Sequence, residues 1–504
     1  MTKKIERIFL GTFGCLLILI TCICIGKPQH NLIPWRMAIY TLVWVGALSG
    51  GRFVLVFLDR KLSAAGGGRF FRILFWVFAV VWAVLIYAAG CTARSAPHTD
   101  YGNVYEAADA LARGDEPDNW DYFSRCTNNR FAMLFLSVLL KMGYWLGMED
   151  GYYFALAFQT LHFVITAGCV YYLAGRGEPE NHPADSWTAV MLLTLLTPIY
   201  GNIAFFYTDQ LSFGYSIIAF TLMYANVRSD DGARNLKRFL PMAAGGLLWG
   251  TAFAVKVTAV IPLIALLIVL ILRTHHLNRM KWIGAGIFCA CFLTAVGGTA
   301  VAVRALPCEK NIERDSEPVL YWVALGLNGD GSYADNQDFA WQIRQADNVN
   351  ERKTLAMEKI KSDWKNFFSA EHLILKARRN FGCGDLGASG YMTYPFRQGN
   401  FLYETISWDG KFFWKYACLS TSYFFALLLL AAIGAFRGAV KGKIDGIGLC
   451  SFVALFGIML FVMLWEAQNK QLFNHSGWIV LAAAFGLKGI GAQELRKFTK
   501  RFKF

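Results

Sequence analysis

"RFAMLFLSVLLKMGYWLG", residues 130–147, is the stretch on which the topology turns. It is apolar enough to be counted as a membrane crossing, yet it is short and carries Lys141 inside it. Around it lies a chain of 504 residues, 56% hydrophobic, 15% aromatic and only 17% charged, with a positive mean hydropathy. That balance excludes a soluble globular protein. Apolar runs near the roughly 20 residues that span a bilayer recur from end to end, whereas a signal peptide would occur once, before a polar chain. The first run, about residues 5–25, therefore reads as a retained helix.

The formal net charge of +14 could suggest nucleic acid. Lys and Arg, however, sit mainly in short segments between apolar runs, as positive-inside topology requires. With "MTKK" inside, residues 59–72, 227–238, 273–281, 437–443 and 494–504 also fall inside; only the acidic loop 175–187 departs from the pattern. This assignment needs about twelve crossings: 5–25, 36–58, 70–90, 152–174, 187–206, 209–227, 239–254, 257–272, 282–303, 412–436, 446–464 and 475–490. Counting 130–147 as another would put most later basic loops outside, so it reads as an interfacial or re-entrant helix. The expected fold is an all-α polytopic membrane protein with two sizeable external loops. Its parts are N-terminal helices 1–90, a first external loop 91–151, a central bundle 152–303, an external cap 304–411, and C-terminal helices with a basic tail 412–504. Both termini are expected in the cytoplasm. No internal repeat is visible, which weakens the signature of many secondary transporters.

Most of the 12 cysteines lie in apolar spans, as small hydrophobes. Cys91, Cys126, Cys308 and Cys383 lie in or beside the external loops. An oxidising exterior would permit Cys91 with Cys126 and Cys308 with Cys383, although four cysteines allow three pairings and none need form. No Cys/His cluster has zinc-ligand spacing, so no cofactor is expected and a divalent metal has no support.

Two acids and four cations stand out. In "HTDYGNVYEAADALARGDE" (98–116), Tyr101, Val104, Tyr105, Ala108, Leu111 and Ala112 recur at helical spacing and Gly114 ends the run. Asp100 then stands at an N-cap position, while Glu106, Asp109, Asp115 and Glu116 read as solvated surface. Asp209, in "FFYTDQLSFGYS" (205–216), lies beside apolar spans on the same expected side, either as a helix start capped by Thr208 or in a polar cavity. Lys256 interrupts a helical hairpin, Lys470 lies in "WEAQNKQLFNHSGW" (465–478), Arg130 opens 130–147, and Arg397 sits in "YMTYPFRQGNF" (391–401). Snorkelling accounts for the two lysines equally well. Acids and cations together on one side suit a reaction with an anionic lipid-linked leaving group.

These stretches resemble the GT-C membrane glycosyltransferases, in the branch of protein O-mannosyltransferases and aminoarabinose transferases, including Gram-positive members. "DYGNVYEAADALARGD" is similar to the family's first external loop, "YFSRCTNNRFAMLFLSVLLK" (122–141) to its juxtamembrane segment, and "YTDQLSF" (207–213) to its second acidic motif. "GLLWGTAFAVKVTAVIPLIALLI" resembles the hairpin that follows; "YWVALGLNGDGSYADNQDF" (321–339) and "LWEAQNKQLFNHSGWIVLAAAFGL" (464–487) resemble the large loop and the last external turn with its helix. The sequence departs from the pattern at Cys126-Thr127, where a Tyr-Pro-like pair is expected, and at Lys470-Gln471, where an Arg-Tyr pair is more usual.

The resemblance implies a multi-pass cell-membrane enzyme, bacterial and of the cell envelope, moving a sugar from a polyprenyl-phosphate donor to an external glycan, lipid or protein. It implies Asp100 as general base, Asp209 orienting the acceptor or the base, and Lys256, Lys470, Arg130 and Arg397 on the donor phosphate. The competing classes are a lipid-linked glycan flippase or transporter, which would want charges at mid-membrane depth, and a membrane glycan polymerase or ligase.

Overall fold

The computed structural model describes residues 2–63, 67–176, 183–227, 239–273, 279–393, 399–442 and 444–488, and among them every regular element is helical. The N-terminal part holds α1 (Thr2–Gly26), α2 (Pro34–Ser63) and α3 (Gly67–Ala93). Next come α4 (Thr99–Arg113), α5 (Trp120–Arg125) and α6 (Arg130–Trp145). The central bundle comprises α7 (Tyr152–Gly175), α8 (Pro183–Thr194), α9 (Pro198–Asn202), α10 (Thr208–Leu211), α11 (Tyr215–Val227), α12 (Leu240–Val255), α13 (Ile261–Arg273) and α14 (Arg279–Arg304). The cap contains α15 (Ile312–Asp315), α16 (Val319–Gly326), α17 (Gln337–Gln345), α18 (Val349–Asp363), α19 (Ala370–Phe381), α20 (Ala388–Tyr391) and α21 (Phe401–Ile406). The chain closes with α22 (Phe413–Lys441), α23 (Gly446–Leu464) and α24 (Ser476–Leu487).

Seven helices among the described residues, α1, α2, α3, α7, α14, α22 and α23, are long and apolar enough to cross a membrane. The other five expected crossings fall on shorter helices: α8 with α9, α10 with α11, α12, α13 and α24. A buried run need not be one unbroken helix, and at 187–227 the chain breaks into short pieces around Asp209.

Packing follows the small residues. On α12, Gly246 and Gly250 stand one turn apart, and a Cβ at Gly250 would lie 2.7 Å from both Phe292 O and Ala295 Cβ of α14. The two backbones therefore approach more closely than larger side chains would allow. α22 is the hub, packed on α1, α2 and α24. The acidic loop that broke the charge pattern has an explanation at its described end: Asp185 of α8 is buried against Arg52 of α2, 2.7 Å away.

α4 buries Tyr101, Val104, Tyr105, Ala108 and Ala112, with Leu111 packed at the margin, and ends at Gly114 with φ of 92°. Its apolar stripe is covered by α6, so protein faces it. The cap has a small core of its own around Tyr321, Leu325, Phe339 and Ile343. It is tied to the N-terminal hairpin: Gln29 donates to the carbonyls of Arg378 at 2.6 Å and Arg379 at 2.9 Å, and Arg378 donates to Lys27 O at 2.7 Å.

Candidate active site

Asp100 is not the N-cap. That position belongs to His98, and Asp100 lies in the first turn of α4 without a side-chain cap bond. Its carboxylate is instead held from the side: Tyr122 donates its hydroxyl to Oδ1 at 3.1 Å, and Tyr207 donates to Oδ2 at 3.5 Å. Asn129 orients both tyrosines, reaching the Tyr122 oxygen at 2.6 Å and the Tyr207 oxygen at 3.3 Å. Three segments thus converge on one half-buried acid: α5, the turn before α6, and the extended residue before α10.

Asp209 is fully buried, and its helix start is capped by Tyr207 rather than Thr208, again without a side-chain bond. Lys256, in the break between α12 and the 3₁₀ turn Val257–Val260, places Nζ 2.6 Å from Asp209 Oδ1. Apart from this ion pair, neither Asp209 oxygen has a hydrogen-bond partner among the described residues. Close by, both ring nitrogens of buried His475 and the amide oxygens of Gln210 and Asn474 are also unpartnered. Unmet polar atoms are rare in a protein interior, and their concentration here marks a place where a polar guest or water belongs.

Lys470 joins the two acids. Its Nζ lies 5.1 Å from the Tyr207 ring and 5.9 Å from the Tyr391 ring. Burial disfavours its charge, but Tyr391, Asp100, Asp209 and Glu466 outweigh that and hold its pKa above the usual lysine value. Its segment is fixed on two sides. Asn469 donates to Asp385 Oδ1 at 2.5 Å, and Gly387, with φ of 82°, lies where a Cβ would meet Lys470 Cβ at 2.6 Å. From the cap, Gly331 O accepts the Ala467 N–H at 2.7 Å. Buried Lys376 donates to Gly326 O, and burial pulls its pKa down to about 7 against the opposing charges of Glu466 and Asp330.

Asp100, Asp209, Lys256 and Lys470, drawn from four distant stretches, therefore share one neighbourhood. Arg130, which follows Asn129, has its guanidinium engaged by Glu309 at 2.5 Å and by Thr127 O. Arg397 lies outside the described residues. Tyr122, Asn129, Tyr207, Tyr391, Glu466 and His475 were missed by sequence reasoning as site residues, although all six stand within stretches already singled out. All twelve cysteines are free, and Cys383, offered above as a partner for Cys308, donates instead to Asp385 Oδ1 at 3.0 Å. His30, Cys383 and Asp385 bring ligand-type atoms within 4.8 Å of one another. The Asp385 oxygens also accept from Gly387 N–H, the Ser389 hydroxyl and Asn469, so this carboxylate already has donors of its own.

No curated protein matches the chain. Among solved structures, the crystal structure of ArnT from Cupriavidus metallidurans bound to undecaprenyl phosphate matches 82% of this chain and 77% of that one, at 15% identity and a TM-score of 0.35. A family described as "conserved hypothetical integral membrane protein" matches residues 35–467. With most of its length inside that match and seven helices fit to span a bilayer, the chain belongs to this family of integral membrane proteins.

Proposed function

We propose that the chain is a membrane glycosyltransferase that moves a hexosyl or pentosyl group from a polyprenyl-phosphate donor to an acceptor hydroxyl at the external face. The reading includes twelve crossings, cytoplasmic termini, a bacterial plasma membrane and a cell-envelope acceptor. The observation that carries it is the alternation Asp100, Lys470, Asp209, Lys256 in one partly buried polar neighbourhood.

Transfer needs opposite charges at two ends of one bond. The acceptor O–H gives its proton to a base, its oxygen forms the new bond to the anomeric carbon, and the old C–O bond breaks with its electron pair leaving on the lipid phosphate. Asp100, aimed by two tyrosine hydroxyls, takes the proton. Lys470 and Lys256 meet the departing phosphate, in a setting where a fixed charge is worth more than in water. Asp209 holds Lys256 until the phosphate arrives and favours positive charge at the anomeric centre. Arg397 and Arg130 remain candidate phosphate ligands, Arg130 with Glu309 as its partner in the absence of donor.

The test uses the purified chain in nanodiscs with a panel of radiolabelled polyprenyl-monophosphate sugars. Release or transfer of one sugar is expected, with donor-lipid binding lost in Lys470→Gln. Inertness towards every donor would overturn the reading in favour of transport or polymerisation.

A further inference from the structure

On the face of α22 turned away from the candidate site lies a second feature. Tyr40, Val43, Trp44 and Ala47 of α2 and Trp414, Lys415, Cys418, Leu419 and Ser422 of α22 line a mainly apolar groove of about 410 Å³. Both sets recur every three to four residues, so each is one stripe of a helix. Tyr416, the next residue along, is buried on the opposite side beside Asp385. The groove is therefore a separate place from the candidate active site.

Two independent properties say what fits it. The first is length: from Trp414 to Ser422 the wall runs about 12 Å at 1.5 Å per residue, close to the roughly 15 Å hydrocarbon depth of one leaflet. The second is charge at the mouth, where α2 and α22 both begin. Lys415 Nζ lies 5.3 Å from the Phe412 ring and 5.6 Å from the Trp414 ring, and Lys411 Nζ lies 5.5 Å from the Phe412 ring. Arg36 stands over Trp35 at 5.2 Å and is within electrostatic reach of Cys418 in the groove wall. Of the neighbouring acids, Glu404 is occupied by the Lys411 backbone N–H at 3.0 Å and Asp409 is exposed. Three cations on aromatic rings at the end of a leaflet-deep apolar groove complement a lipid whose headgroup is negative.

We infer that this groove is a binding site for one anionic phospholipid, acyl chain along Trp44 and Cys418, phosphate among Arg36, Lys411 and Lys415. The inference is independent of the transferase reading, because it needs only a membrane and the geometry of α2 and α22. A bound lipid would cover the seam between these helices at the end of the bundle that carries Lys470.

The experiment is native mass spectrometry of the full chain released from nanodiscs of equal parts phosphatidylglycerol and phosphatidylcholine. One retained phosphatidylglycerol, favoured at least about tenfold, is expected from three basic contacts. Arg36→Gln/Lys411→Gln/Lys415→Gln should abolish the preference, and Ala47→Trp, which fills the groove without touching charge, should abolish retention. The control Lys141→Gln, an exposed cation elsewhere, should change neither. Equal retention of the two lipids by the unaltered chain, a preference that survives the triple substitution, or retention unchanged in Ala47→Trp would each overturn the inference.

Discussion

Two buried ion pairs lie at different places in this bundle, and they are built differently. Arg52 and Asp185 meet at 2.7 Å, and the guanidinium also donates to Thr188 at 3.2 Å and to Lys488 O at 3.0 Å. Lys256 and Asp209 meet at 2.6 Å, yet among the described residues the carboxylate accepts no hydrogen bond and neither ring nitrogen of nearby His475 has a hydrogen-bond partner. The first pair is reinforced by those two further bonds of the guanidinium, which knit α2, α8 and the end of α24 together, although Arg52 Nε and Asp185 Oδ1 have no hydrogen-bond partner among the described residues. The second is left open, an arrangement that costs stability unless something arrives to complete it.

Removing one partner and then both should expose that difference. Arg52→Met and Lys256→Met each strand a buried carboxylate and should each cost about 3–5 kcal/mol in thermal unfolding. The compensated pairs should then diverge. Arg52→Met/Asp185→Leu recovers stability and sugar transfer; Lys256→Met/Asp209→Leu recovers stability only. Equal activity of the two double variants would erase the distinction between the reinforced pair and the open one.

Asp100→Asn sharpens the comparison from the neighbouring acid. Loss of a general base is expected to lower transfer by about a hundredfold or more with an unchanged melting temperature. Tyr122→Phe removes one of the two hydroxyls that aim Asp100, and a fall in kcat of about tenfold at constant KM is expected.

The last test moves from the site to the cap and concerns Lys376, whose pKa is lowered by burial to about 7. Between about pH 7 and the usual lysine value the unfolded chain binds the extra proton, so stability should rise with pH across that window. Lys376→Met should flatten that rise. Melting temperatures measured from pH 6.5 to 9.5 for both proteins would show it; parallel curves would mean that Lys376 is charged in the folded state.

Much of the helical plan was legible because apolar periodicity reports burial directly. α4 is the plainest case, since its stripe and its terminal Gly114 are both written in "YGNVYEAADALARG". What periodicity does not encode is where a buried run breaks, and the region around Asp209 breaks into pieces of four and five residues. At the site, charge made Asp100, Asp209, Lys256 and Lys470 conspicuous, because a charge beside an apolar run needs a reason. Tyrosine and asparagine raise no such flag, so Tyr122, Tyr207 and Asn129 become visible only when distant segments are brought within hydrogen-bond reach. Arg130 shows the converse: conspicuous in sequence, it is taken by Glu309 from a part of the chain far away.

The hydrogen bond from Ala467 to Gly331 has a practical side. Residues 304–411 look like a detachable module, with their own small core and a surface tempting to trim or exchange between relatives. Yet one strut of the segment that carries Lys470 is anchored in that module. A chimera that swaps the cap would also reset the position of Lys470, so hybrids should be cut beyond Ala467 and should carry the Trp465–His475 turn along with the cap.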